Sequence, residues 1–278
     1  MGFQQHISES AFLVNVSRAL NVELSRDRYA HLWVSGAARA LWDDFTRGVY
    51  PFDATELGLR NRFFLEQLEA ALRSRSAASF VNVGAGFTSY PFLVEEPCCW
   101  VEVDYAHVIE FKRDKIRRWQ EEGTLPRRTI TYLAADLNRE SDVQGLGVAL
   151  AATLGSRPSF FLVEGLTYYL SRPVFGRLFD LITRLQSPGS ILTFDFWVPG
   201  VENHPIFLRF KQFCSERFGH RATEYNLLDP GTVRSLPGYE VVALTDVQEQ
   251  ETVYSKQRVL ASYDAILPEN YAVLRRQR

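Results

Sequence analysis

A basic excess is missing from this chain: 31 Lys and Arg stand against 33 Asp and Glu, a formal charge of −2 at neutral pH. A protein that grips a polyphosphate backbone needs a cationic face, so nucleic acid is excluded as the expected partner. The densest basic stretch, Lys112 to Arg118, is broken by Asp114 and followed by Glu121 and Glu122, the pattern of a solvated helix face. Long apolar runs are missing too. The longest, Phe160 to Leu170, contains Glu164 and is too short to span a bilayer, so no membrane partner is expected. The chain does not open on a basic segment followed by an apolar one, and His6 stands where a myristoylation signal after Met1-Gly2 wants Ser or Thr. These features predict a cytoplasmic protein. Cysteine is scarce: three residues, no Cys-x-x-Cys spacing and no Cys/His cluster, which predicts core thiols and no metal site.

What is present is a substantial apolar content of 46% with two distinct periodicities. From Glu9 to about Gly48 apolar residues recur at helical spacing, Leu13, Val16 and Leu20 on one face and Leu32, Ala37 and Leu41 after a break near Ser25. A third helix is predicted over Thr55 to Arg73. The period then changes. Short apolar runs at 79–83, 99–103, 129–134, 159–163 and 190–197 alternate with helical segments at 105–122, 141–154 and 172–186. Strands this apolar, alternating with helices, predict a parallel sheet covered on both faces. Farther on, 239–247 alternates like a strand, 252–266 leans helical, and 271–275 reads as a last strand.

The first strand runs into Gly84-Ala85-Gly86, and Asp104 closes the second strand 20 residues after Gly84. Glycines at that turn let a nucleotide-like ligand approach the backbone, and a carboxylate at that spacing accepts hydrogen bonds from ribose hydroxyls. Ser89 stands where a dinucleotide fingerprint has its third glycine. That loss matters less for S-adenosylmethionine, which has no phosphates to seat on a helix N-terminus. Asp136, beside Leu137, ends the third strand, where a side chain and a backbone amide suit an adenine, and Glu164 ends the fourth.

The pieces Val81-Asn82-Val83-Gly84-Ala85-Gly86, Glu102-Val103-Asp104 and Glu164-Gly165-Leu166-Thr167-Tyr168-Tyr169-Leu170 resemble the leucine carboxyl methyltransferase family, whose relatives include polyketide O-methyltransferases of the tetracenomycin type. The resemblance runs from about Ala11 to the last strand. It implies a Rossmann-like class I methyltransferase of α/β class: a mostly parallel, seven-stranded sheet with helices on both faces and an N-terminal helical cap. It further implies S-adenosyl-L-methionine as cofactor, with Arg60 on the methionine carboxylate and Gly84 on the methionine part. Asp104 would hold the ribose, Asp136 and Leu137 the adenine, and Glu164 the ammonium. A zwitterionic tail needs one cation and one anion, and Arg offers a bidentate match to a carboxylate. Arg62 lies two residues from Arg60 and faces elsewhere on the same helix. The family follows Gly-x-Gly with an apolar residue, Asp-Thr and a later Arg; here Phe87-Thr88-Ser89-Tyr90-Pro91-Phe92-Leu93 carries no charge, which argues against a protein C-terminus as substrate.

The expected reaction is O-methylation of a small-molecule carboxyl or hydroxyl group in natural-product biosynthesis. No Asn/Asp-Pro-Pro-Tyr/Phe tetrapeptide follows the fourth strand, which favours oxygen over a nucleobase nitrogen. A hydroxyl acceptor leans on a base, for which His204 and His220 are candidates. Tyr169 is expected to position the acceptor, and Tyr168, Trp197 and Phe207 to line its pocket. Two other readings compete. A nicotinamide-dependent oxidoreductase fits a similar sheet but not the missing glycine or Glu164. A methyltransferase fold that binds cofactor without methylating fits the uncharged loop. One domain is expected, with a helical cap over 1–54, a cofactor-binding core over 55–197, an acceptor-side segment over 198–238 and the last strands over 239–278.

Overall fold

A computed structural model describes residues 3–218 and 225–277. Four helices precede the sheet: α1 (Phe3–Leu20), α2 (Val22–Ser25), α3 (Gly36–Gly48) and α4 (Asp53–Arg73). The alternating part follows as β1 (Ser79–Val83), α5 (Tyr90–Leu93), β2 (Cys99–Asp104), α6 (Ala106–Glu121), β3 (Ile130–Ala134), α7 (Glu140–Leu154), β4 (Ser159–Val163), α8 (Arg172–Leu185) and β5 (Ile191–Phe196). The chain closes with α9 (Pro205–Phe218), α10 (Pro230–Arg234), β6 (Tyr239–Asp246), α11 (Val247–Tyr254) and β7 (Asn270–Arg276). The strands form one seven-stranded sheet in the order β3-β2-β1-β4-β5-β7-β6. The first five run parallel, and β7 pairs antiparallel with both β5 and β6. No helix among the described residues is long and apolar enough to cross a membrane.

Strand alternation sorts the core into two layers. Val81, Val101, Phe161 and Leu192 face α7 and α8 through Leu146, Leu150, Leu178 and Ile182. Phe80, Trp100, Phe160 and Val273 face the opposite way, onto Leu59, Phe63, Phe64 and Leu68 of α4. Both faces are covered, which is why these strands lack polar alternation.

Three helical expectations are corrected. In α1 the buried face holds Leu13, Val16, Ser17 and Arg18, whereas Leu20 is 40% exposed. Arg18 is drawn inward by an acidic partner described below, so the buried stripe is rotated from the purely apolar one. In the next segment Trp33, Ala38 and Phe45 are buried and Ala37 is exposed. The helix expected over 252–266 lies instead at α11. Asp246 caps its start by accepting from the Glu249 amide at 2.8 Å. The buried Glu251 carboxylate then accepts the Val259 and Leu260 amides at 2.7 and 3.0 Å, folding the following chain back.

Candidate functional site

The sheet order places a switch point between β1 and β4: the chain leaves β1 toward β2 and β3, then returns to start β4 on the other side. Ligands of open α/β sheets sit in the crevice that such a reversal leaves beyond the strand ends. Here a cleft of about 320 Å³ opens there, lined among others by Gly84, Ala85, Gly86, Asp104, Asn138 and Glu164. Gly84 has φ +73°, which requires glycine, and a Cβ at this position would stand 2.8 Å from Leu166 Cδ2 and push that side chain aside. The Gly86 amide donates to Asp104 Oδ2 at 2.8 Å and the Tyr105 amide to Oδ1 at 2.7 Å. Burial nevertheless raises the Asp104 carboxyl above its ordinary range.

The uncharged loop after Gly86 is anchored from within. Asn82 Nδ2 donates to Thr88 Oγ1 at 2.9 Å, and Thr88 Oγ1 donates to the Ala85 carbonyl at 3.0 Å. Lys112 of α6 reaches the same carbonyl at 3.4 Å and pairs with Glu102 of β2 at 2.8 Å. Lys112 and Glu102 are both fully buried, so the expectation of a solvated basic face is corrected at Lys112, which the Glu102 charge holds inside.

Glu164 is the hub of the site. Arg18 Nη2 and Arg60 Nε both reach its Oε1, at 2.5 and 2.9 Å, and Tyr90 donates to Oε2 at 2.8 Å. Burial pushes this carboxyl up, but the two guanidiniums outweigh it and hold Glu164 below the usual carboxylate range. Arg60 is further held by Glu269 at 2.9 Å and by Asp195 at 3.2 Å. Arg18, by contrast, is buried with Nε and Nη1 lacking any hydrogen-bond partner among the described residues.

Beyond Arg60 the wall turns acidic and aromatic. Tyr50 donates to Glu56 Oε2 at 2.8 Å and to Asp53 Oδ1 at 3.4 Å, and Ser17 donates to Asp53 Oδ2 at 2.5 Å. The Tyr168 and Trp197 rings stack at 3.9 Å and 11°, beside Tyr169, Phe45 and Phe213 on the same cleft. Burial raises Asp53 to about 6 against the hydrogen bond from Ser17 and the charge of Arg60, and raises Glu56 well above its ordinary value. Each of these acids binds its proton more tightly when folded. Their contribution is complete below the unfolded carboxylate values near 4 and is lost as pH rises through the folded values. For Asp53 alone the loss is about 3 kcal/mol. Thermal melts should therefore show greater stability near pH 5 than near pH 8, and Asp53→Asn should flatten that slope; a profile rising with pH in this window would contradict the assignment.

Among the residues expected from sequence, Arg60, Gly84, Ala85, Gly86, Asp104, Glu164, Tyr168, Tyr169 and Trp197 are brought together on this cleft. Asp136 and Leu137 lie at the same sheet edge, but the side chain that reaches the cleft there is Asn138, which donates to Asp136 Oδ1 at 3.0 Å. Phe207 packs behind Trp197, ring centroids 5.3 Å apart, rather than on the cleft surface. His204 is corrected as a base: it is buried away from the cleft, with Nε2 2.9 Å from the Tyr263 carbonyl oxygen and Nδ1 accepting from the Ile206 amide at 3.2 Å. His220 lies outside the described residues. Sequence reasoning missed Arg18, Asp53, Glu56, Asp195 and Glu269. The one signal for them was Asp195 between Phe194 and Phe196, a charge where a buried strand should be apolar.

Comparison with known proteins agrees with this geometry. Residues 12–183 match the profile of a family described as leucine carboxyl methyltransferase. A Streptomyces coelicolor protein assigned by name to the S-adenosyl-L-methionine-dependent methyltransferases is 29% identical over 210 residues, 70% of this chain and 67% of that protein. A Mycobacterium tuberculosis protein of the same assignment is 29% identical over 189 residues, 63% of this chain and 58% of its own length. In fold, the chain is similar to a Thermobifida fusca crystal structure assigned as a methyltransferase, with TM-score 0.65, 16% identity and 95% coverage of both chains. It is also similar to the magnesium protoporphyrin IX methyltransferase of Synechocystis solved with S-adenosylhomocysteine, with TM-score 0.50 and 11% identity, covering 87% of this chain and 95% of that one. By the profile match over more than half its length, the chain belongs to the leucine carboxyl methyltransferase family of S-adenosylmethionine-dependent methyltransferases.

Proposed function

We propose that this chain is an O-methyltransferase that binds S-adenosylmethionine at the β1–β4 switch point and methylates a hydroxyl of a small aromatic acceptor, of the polyketide type that the family resemblance implies. The observation that carries this reading is the meeting of the Gly84–Gly86 turn, Asp104 and the Arg18–Glu164 pair on one cleft. The residues fit the cofactor. Arg18 offers a carboxylate two buried nitrogens that have no partner among the described residues, with Arg60 beside it. Glu164, kept ionised, suits an ammonium. Asp104 would hold the ribose hydroxyls, and Asp136, Leu137 and Asn138, at the neighbouring strand end, would take the adenine.

When bound, S-adenosylmethionine would supply a methyl group on its sulfonium sulfur, which the acceptor oxygen would take by in-line displacement of S-adenosylhomocysteine, the hydroxyl proton leaving to water. The chain contributes orientation and exclusion of water. Gly84 lets the backbone close on the cofactor, while Tyr168, Tyr169 and Trp197 give the acceptor an apolar bed. A carboxylate acceptor would add negative charge to a wall where burial already raises the Glu56 carboxyl well above its ordinary value, which favours a hydroxyl.

Asp104→Ala removes hydrogen bonds to two hydroxyls and should weaken S-adenosylhomocysteine binding by about ten- to a hundred-fold in titration calorimetry. Unchanged affinity would place the ribose elsewhere. A screen for S-adenosylhomocysteine release against paired alcohols and carboxylic acids tests the reaction. Turnover of alcohols supports the reading, and cofactor binding with no release from any acceptor favours a fold that binds without methylating.

A further inference from the structure

The acidic wall exceeds what a bound cofactor neutralises. Among the described residues the charged side chains on the cleft are five carboxyls (Asp53, Glu56, Asp104, Glu164 and Glu269) against two guanidiniums, Arg18 and Arg60. S-adenosylmethionine carries two positive groups and one negative, so its binding removes only one charge from that excess of three. Uncompensated buried charge is costly, and the wall meets the cost by holding protons. Burial raises three of these carboxyls, Asp53, Glu56 and Asp104, above their ordinary range.

Glu269 marks where a ligand is missing. The residue is 2% exposed and lies on the cleft, with Oε1 taken by Arg60 at 2.9 Å and Oε2 without a hydrogen-bond partner among the described residues. A buried carboxylate oxygen with no donor costs free energy that an incoming donor recovers. The same cleft carries the stacked Tyr168 and Trp197 rings, and aromatic faces attract cations where water is excluded. Acid and aromatic surface together describe a site for an amine.

Resting on the methyltransferase reading above, we propose that the acceptor is a hydroxyl-bearing arylalkyl amine bound as its ammonium ion, the charge held by Glu269, Glu56 and Asp53 and the ring by Trp197 and Tyr168. The ammonium takes the place of the protons that the wall otherwise holds, so binding releases protons. Asp53 faces Ser17 from α1, Tyr50 from the preceding turn, Arg60 of α4, and Glu269. With these neighbours, affinity strengthens as pH rises through about 6.

Three probes share a phenol and differ in one group: tyramine is a cation, tyrosol is neutral and 4-hydroxyphenylacetate is an anion. Titrated into protein saturated with S-adenosylhomocysteine, tyramine should bind at least about tenfold more tightly than 4-hydroxyphenylacetate, with tyrosol between. Its heat should vary with the ionisation enthalpy of the buffer, reporting proton release. Glu269→Gln and Glu56→Gln should each cut the preference of tyramine over tyrosol by about tenfold while S-adenosylhomocysteine still binds. An anion bound as well as the cation, no binding of tyramine, or a preference unchanged in both variants overturns the proposal. Failure of S-adenosylhomocysteine itself to bind overturns the methyltransferase reading, whereas its binding without amine preference sinks only this inference.

Discussion

Replacing Glu164 with leucine should destabilise the fold by about 3–5 kcal/mol, because two buried guanidiniums lose the carboxylate they share. For a domain of this size each kcal/mol lowers the melting temperature by roughly 2–4 °C, so calorimetry should record a fall of about ten degrees. The sign of the pH dependence is diagnostic. Glu164 titrates below the usual carboxylate range, so its stabilisation is present above the unfolded value near 4.3 and is lost as pH falls through the lower folded one. The variant should therefore lose the acid-side limb of the stability profile and keep the opposite slope that Asp53 and Glu56 impose above pH 5. A variant as stable as the parent would mean that Arg18 and Arg60 find water or other acids and that Glu164 is no hub. Cofactor affinity should collapse as well, since among the described residues Glu164 is the carboxylate that pairs with Arg18, at 2.5 Å.

The same hub explains how far the sequence could be read. Parallel strands announce themselves because both faces are buried, so the five apolar runs and the ligand-bearing turns after them were legible from residue type and spacing. Gly84, Asp104 and Glu164 sit at strand ends, where position along the chain fixes position in the cleft. Arg18, Asp53, Glu56 and Glu269 do not. They come from the helical cap, the start of α4 and the turn before β7, and only the packing of those segments across the sheet edge brings them within reach of Arg60. A charged residue on a cap helix reads as solvent-facing until its partner is known, and the partner of Arg18 is 146 residues away. His204 misled for the complementary reason: a histidine outside the regular elements looks chemical, but here it satisfies the Ile206 amide at the start of α9 and the Tyr263 carbonyl before β7.

Lys112 tests whether a buried pair in this fold acts through stability or through the cofactor turn. Lys112→Met leaves Glu102 buried with no counter-charge, and should cost about 3–5 kcal/mol in denaturant melts. Burial pushes the Glu102 carboxyl up and the Lys112 ammonium down, each offset by the other, so neither is comfortable alone. The double variant Lys112→Met with Glu102→Leu removes both charges and should regain most of that stability, as apolar replacements of buried pairs do. The Ala85 carbonyl stays without its lysine in both variants. If Lys112 serves mainly to fix the Gly84–Gly86 turn, S-adenosylhomocysteine affinity should remain depressed in the double variant by about tenfold although its stability has recovered. If affinity recovers together with stability, the turn is held by Thr88 and Asp104 alone, and Lys112 is there only to neutralise Glu102.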